Sequence, residues 1–195
     1  MPRVGVFGLM ASGKSTVSRW FREWGAALVD GDALGWEVLR EPKIVAALVE
    51  AFGAAVRAGD GAIDRAALGR IVFREAVAME RLNAIVQPRL LERVREALHA
   101  VPTGPLLLDA AMLTTWGLEP ELDGVVEVRA GESARAARIV AARGFDAAQA
   151  LERIRGQRLP PVRNPKRHWI IHNDGDLAAL GRQAEAVWKE IAALP

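Results

Sequence analysis

The feature that most constrains this chain is the octapeptide Gly8-Leu9-Met10-Ala11-Ser12-Gly13-Lys14-Ser15, a match to the pattern G-x-x-x-x-G-K-[ST]. It follows a short apolar run, Arg3–Gly8, that reads as a buried strand, and it opens a helical stretch. A loop of this kind wraps backbone N–H groups round phosphate oxygens, and a helix starting near Gly13 points its positive end at them. The candidate phosphate-binding residues are therefore Gly8, Ala11, Ser12, Gly13, Lys14, Ser15 and Thr16. Lys14 reaches the β- and γ-phosphates, Ser15 places its hydroxyl on Mg²⁺, and Thr16 offers its N–H or hydroxyl to the α-phosphate. ATP with Mg²⁺ is the implied pair. Basic residues are nearly all Arg, with lysine only at positions 14, 43, 166 and 189, so an incidental Lys14 is the weaker reading.

Further apolar runs bounded by Gly, Asp or Pro predict strands at Ala27–Asp30, Pro105–Asp109, Gly124–Val128 and Trp169–His172. Helical patterns lie between them, and strands alternating with helices imply a mostly parallel sheet covered on both faces, an α/β three-layer core. Between Asp32 and Pro105 there is no convincing strand, while apolar residues recur at helical spacing in Ile44-Ala47-Leu48-Ala51-Phe52 and Leu91-Val94-Leu98. This predicts a helical insertion over about 36–100. A second interval, Ser133 to Gln157, reads as two Arg-rich helices, with Gly144 as a stop and Asp146 as a start, suited to a flap over about 133–165. The core then comprises about 1–35, 101–132 and 166–195 of a single domain, closed by a helix with Leu177, Leu180, Ala184, Val187 and Ile191 on its inner face.

A phosphate loop leaves the reaction open, and the rest of the sequence narrows it. There is no Asn-Lys-x-Asp for guanine. Leu106-Leu107-Leu108-Asp109 offers a carboxylate for the metal shell, but Ala110 stands where a hydrolysing ATPase usually has Glu, which favours transfer to an acceptor. Asp30-Gly31-Asp32 falls at the carboxyl end of the second strand, the edge where ligands bind in such sheets. An Asp there can orient and deprotonate an attacking hydroxyl, or it can cap the next helix; the residues themselves do not choose between Asp30 and Asp32. Trp36 and Trp116 flank this acceptor side and are candidates for a pocket wall.

Other classes are excluded or disfavoured. With no cysteine, thiolate chemistry and zinc ribbons are ruled out, and the composition suits the cytoplasm. The N-terminus lacks a signal-peptide core, and no run approaches the roughly 18 apolar residues of a membrane span. The formal charge is only +2, and the basic stretch Arg153 to Arg167 is broken by Pro160, Pro161 and Pro165, so neither nucleic acid nor membrane is expected as a partner. His99, His168 and His172 are too dispersed for a metal site. No protein partner is assigned.

From end to end the chain resembles the dephospho-coenzyme A kinases. The resemblance rests on Gly5 through Thr16, Val29-Asp30-Gly31-Asp32 with Glu37-Val38-Leu39, and Gly61-Ala62-Ile63-Asp64-Arg65 leading to Leu68-Gly69-Arg70-Ile71-Val72-Phe73. Pro88, Leu108-Asp109 with Met112-Leu113, Arg135-x-x-Arg138 to Arg153-x-x-x-Gln157 and Ile171-x-Asn173 follow in order. It implies a five-stranded P-loop core, a helical coenzyme-binding insertion and a helical lid, phosphorylating the 3′-hydroxyl of the ribose of dephospho-CoA. It implies Asp32 as the base, with Lys14 and lid arginines Arg138 and Arg143 on the phosphates and Ser15 and Asp109 on the metal. Another small-molecule or nucleoside monophosphate kinase, or a nucleotide-driven regulator, is the alternative. Departures are Leu9 and Ala11 where Gly is common, Gly31 for Ala, Gln87 for His, and Ala110-Ala111-Met112 after the strand. An Ala forced to positive φ would cost roughly 1–2 kcal/mol, so a slightly reshaped loop is expected.

Overall fold

Parallel strands buried on both faces need continuous apolar runs, and Val4, Gly5, Val6 and Phe7 supply one in β1 (Arg3–Phe7). The computed structural model describes residues 1–100, 104–143 and 145–195, the side chain of Arg143 excepted. After β1 the chain runs through α1 (Lys14–Glu23) and β2 (Ala27–Asp30) into α2 (Gly31–Val38), α3 (Pro42–Phe52), α4 (Arg65–Val72) and α5 (Ala76–Ala100). It returns through β3 (Leu106–Asp109), α6 (Leu113–Trp116), β4 (Gly124–Arg129), α7 (Glu132–Arg143), α8 (Ala147–Gly156), β5 (His168–His172) and α9 (Leu177–Ala192). All five expected strands form, β2 with the expected bounds and each of the others with one end shifted by a residue. Gly144, read as the stop before Asp146, lies outside the described residues; Asp146 does cap α8, accepting from the Gln149 N–H at 2.8 Å.

The sheet order is β2-β3-β1-β4-β5 and every pairing is parallel. β1 is central, and the chain goes to one side of it for β2 and β3 and to the other for β4 and β5. Such a reversal opens a crevice at the carboxyl end of β1. One face of the sheet packs Val4, Val6, Val126, Val128 and Ile171 against Val17 and Phe21 of α1 and Leu180, Ala184, Val187 and Ile191 of α9. Phe21 and Trp188 stack at 5.6 Å between those two helices. On the other face Gly5 has no side chain because Leu113 and Leu122 fill its place, each within 3 Å of where a Cβ would stand.

The stripe expected on α9 is buried from Leu180 onward, but Leu177 is 64% exposed. Side chains lean toward the N-terminus of their helix, so a first-residue side chain projects past its start rather than onto the sheet.

The chain divides into two compact units, residues 1–30 with 98–195 and residues 31–97. The second holds no sheet; its core is Ile44, Leu48, Val56, Ile63, Leu68, Val72, Leu90 and Val94. Asp64 caps α4 through the N–H groups of Ala66 and Ala67 at 2.9 and 3.0 Å. Arg89 and Arg93 fasten α5 to its neighbours through Glu41 at 2.8 Å and Glu37 at 3.2 Å.

Candidate active site

The loop between β1 and α1 is shaped by close approaches that allow no larger residues. A Cβ on Gly8 would lie 2.6 Å from both the Val128 carbonyl and the Ser12 hydroxyl, and one on Gly13 would collide with the Asn173 amide. Gly13, at φ +101°, is the N-cap of α1 and its carbonyl accepts from the N–H groups of Thr16 and Val17 at 3.0 and 3.2 Å. The Thr16 N–H is thus engaged, which leaves its hydroxyl as the group for a ligand. Ala11 takes φ +60°, so the departure from Gly is absorbed as left-handed backbone strain rather than by reshaping the loop. Ser12 is buried, and its hydroxyl has no partner among the described residues.

Lys14 begins α1 and is ion-paired with Asp109, the last residue of β3. The register explains the meeting: Asp109 lies beside Val6 of β1 and beside Asp30 of β2, so the strand ends bring carboxylates to the edge from which the loop springs. Ser15, exposed on the first turn of α1, adds a hydroxyl one residue beyond Lys14. Among the described residues no cluster of three or more His, Asp or Glu could hold a metal. Mg²⁺ bound with nucleotide needs only one or two protein oxygens, which Ser15 and Asp109 can supply.

Three side chains from distant segments buttress the loop. Asn173, buried just past β5, donates from Nδ2 to the Ser12 carbonyl at 2.7 Å. Gln157, past α8, accepts from the Met10 N–H at 2.6 Å. Arg138 of α7 donates to the Ala11 carbonyl at 3.1 Å and to the Asn173 carbonyl at 2.6 Å. Its neighbour one turn earlier, Arg135, is 93% buried, and its Nε and Nη1 have no hydrogen-bond partner among the described residues. Burial lowers the pKa of Arg135, against a smaller opposing effect of Glu132.

Arg143 is the last residue of α7, and its side chain lies outside the described residues. Asp32 stands exposed in the first turn of α2, in the unit 31–97, whereas Asp30 ends β2 in the unit that carries the loop. The structure therefore gathers Gly8, Ala11, Ser12, Gly13, Lys14, Ser15, Thr16, Asp109 and Arg138 in one unit and holds Asp32 in the other. Asn173 and Gln157 entered the sequence reading only as parts of a resemblance; their signal was position, each directly following a regular element.

A family model described as dephospho-CoA kinase (CoaE) matches residues 3–179. Dephospho-CoA kinase of Moorella thermoacetica is 35% identical over 193 residues, covering 96% of this chain and 91% of its own. The chain belongs to the dephospho-CoA kinase family. The solved structure of TT1252 from Thermus thermophilus superposes with a TM-score of 0.78 at 32% identity over 97% of each chain. Dephospho-CoA kinase from Campylobacter jejuni shares the fold at a TM-score of 0.67 and 19% identity, over 97% of this chain and 96% of its own. As a member of a dephospho-CoA kinase family the protein is a phosphotransferase, and the phosphate loop with its Lys14–Asp109 pair is the part of the site suited to a nucleotide.

Proposed function

We propose that this kinase transfers the γ-phosphoryl group of ATP to the 3′-hydroxyl of the ribose of dephospho-CoA, giving coenzyme A and ADP. The observation that carries the reading is a complete strand-loop-helix phosphate cradle, with Lys14 at the first turn of α1, in a chain of the dephospho-CoA kinase family. The backbone of residues 8–15 surrounds the β- and γ-phosphates, and the Thr16 hydroxyl serves the α-phosphate. Ser15 and Asp109 would hold the Mg²⁺ that accompanies the nucleotide, and that ion would supply neutralisation of phosphate charge. Asp32 accepts the proton of the ribose hydroxyl as its oxygen bonds to the γ-phosphorus and the bond to the β-phosphate oxygen breaks. Lys14 and Arg138 offset the charge that develops on the transferring group, and Arg143 contributes to nucleotide binding. In this reading residues of about 36–100 hold the coenzyme and about 133–165 form the lid that excludes water.

Mass spectrometry of dephospho-CoA incubated with ATP, Mg²⁺ and the protein tests the reaction, with Lys14→Ala as control. A gain of one phosphate that vanishes in the control supports it. No gain from folded protein that binds ATP rejects dephospho-CoA as acceptor. Asp32→Asn should cut kcat by about 100-fold or more while ATP still binds; near-normal turnover would remove Asp32 from the base role.

A further inference from the structure

A cavity of about 710 Å³ lies at the carboxyl ends of β1 and β4, wholly within the unit that carries the phosphate loop. Gly8 and Leu9, where the loop leaves β1, belong to its lining. Side chains alternate along a strand, and Val4, Val6, Val126 and Val128 pack with α1 and α9. Phe7, Glu127 and Arg129, which also line the cavity, therefore stand on the opposite face of the sheet. The charges there are committed to one another: Glu127 accepts from Arg129 at 2.7 and 2.8 Å and is bonded to His168 at 3.0 Å. Apolar lining comes from Leu9, Leu159, Pro160 and Val162. The segment 158–162 is a strap made fast at both ends. Before it, the Gln157 amide oxygen accepts from the Met10 N–H at 2.6 Å; after it, the Arg163 N–H donates to the carboxylate of Glu119 at 3.1 Å, and Glu119 is fully buried. Between the anchors Pro160 and Pro161 fix their own φ and stiffen the chain. Yet among the described residues no protein group bonds the N–H of Arg158, Leu159 or Val162, or any carbonyl of residues 158–162.

A rigid row of uncommitted peptide donors and acceptors, beside aliphatic side chains and charges that neutralise one another, suits a flat, neutral, polar group. A purine base is such a group, with an apolar face and an edge of alternating donors and acceptors. Gln157 also lines the cavity, and with its oxygen held by Met10 its Nε2 is the donor left for a ligand. Arg158, in the same lining and without an ion pair among the described residues, offers a guanidinium plane on which a base can stack. In the proposed reaction the hydroxyl of Thr16, on α1, serves the α-phosphate of ATP, so the nucleoside of ATP departs on the α1 face of the sheet. We infer that the cavity, on the other face, takes the adenine of the acceptor, read along its N1 and N6 edge by the peptide groups of the strap with Gln157 beside it. The inference rests on the reading of dephospho-CoA as acceptor. It makes residues 157–162 a specificity segment for the acceptor's base.

The test uses the ethenoadenine forms of dephospho-CoA and of ATP, in which a bridge blocks the N1 and N6 edge of the base, together with the cavity-filling variant Leu159→Trp. With the wild-type protein, KM for the bridged acceptor should exceed that for dephospho-CoA by about tenfold or more, the scale of peptide groups left unpaired. In Leu159→Trp, KM for dephospho-CoA itself should rise by about as much and the penalty for the bridge should vanish, because the base no longer reaches the strap. The ratio of KM for ethenoATP to KM for ATP should stay within about twofold of the wild-type ratio. Val162→Trp, in the same lining, should repeat this pattern and replaces Leu159→Trp if that variant does not fold. A bridge penalty absent from the wild type, or unchanged in a folded variant, overturns the inference and leaves the reaction standing. A change in the ethenoATP ratio instead gives the cavity to the base of ATP and overturns it as well. If the wild type does not phosphorylate dephospho-CoA, the reaction is rejected and the inference falls with it.

Discussion

The ammonium group of Lys14 and the carboxylate of Asp109 are joined at the carboxyl edge of the sheet, with side chains 15% and 13% exposed. One begins a helix and the other ends a strand, so their meeting is set by the β1–β3 register rather than by local sequence. A carboxylate here fixes where the ammonium points, and in the proposed reaction it would also donate an oxygen to Mg²⁺. Asp109→Asn should lower kcat/KM by about 100-fold or more, and Lys14→Ala by about 1000-fold, the scale of losing one preorganised charge at a transferring group. Steady-state kinetics at saturating Mg²⁺ would check this; a loss under fivefold in Asp109→Asn would deny Asp109 its role.

Asn173 bears on the loop in two ways, by its bond to the Ser12 carbonyl and by filling the space a Gly13 side chain would need. Asn173→Ala strands a buried carbonyl, which costs about 1–3 kcal/mol. Thermal unfolding should fall by several degrees, and KM for ATP should rise. An unchanged melting temperature would mean that the loop is held without Asn173.

Ala11 at φ +60° holds a conformation that glycine adopts freely. Ala11→Gly should stabilise the fold by up to about 1 kcal/mol, the relieved strain being partly offset by the greater freedom of glycine in the unfolded chain. Denaturant titration measures it, and a destabilisation above about 1 kcal/mol would contradict the strain assignment.

Glu127 gives a pH prediction. Burial alone would raise its pKa, but the hydrogen bonds and charge of Arg129, followed by those of His168, outweigh burial and hold the carboxyl below the usual glutamate range. A group whose pKa is lower folded than unfolded contributes stability that is complete above its unfolded value, about 4.3, and is lost as pH falls through the folded value. Wild type should therefore exceed Glu127→Gln in stability at pH 7, and the gap should close below about pH 4. Parallel unfolding curves from pH 7 to pH 3 would refute this.

The strands were legible because a parallel sheet demands uninterrupted apolar runs, and Leu106-Leu107-Leu108 or Val125-Val126 can scarcely be anything else. The phosphate loop was legible because its eight residues are contiguous. The buttresses were not: Asn173 meets Ser12 across 161 residues, and Gln157 meets Met10 across 147. Asp109 was identified as a free carboxylate at a strand end, yet its pairing with Lys14 depends on two strands lying side by side. Trp36 was a candidate pocket wall by sequence, but no periodicity couples it to Arg65, because the two stand on different helices. Leu177 misled for the opposite reason, since its spacing was right and its place at the first residue of α9 was not visible in the spacing.

Arg138 spends its guanidinium on the carbonyls of Ala11 and Asn173, one in the phosphate loop and one at the end of β5. A fork so occupied cannot grip an incoming anion with the same N–H groups. Any ligand that recruits Arg138 must therefore compete with two intramolecular bonds, and by linkage whatever loosens those bonds tightens the ligand by the same free energy. Substitutions on α7 far from the proposed nucleotide site should for this reason change nucleotide affinity without touching it, which would make the helix a tuning element.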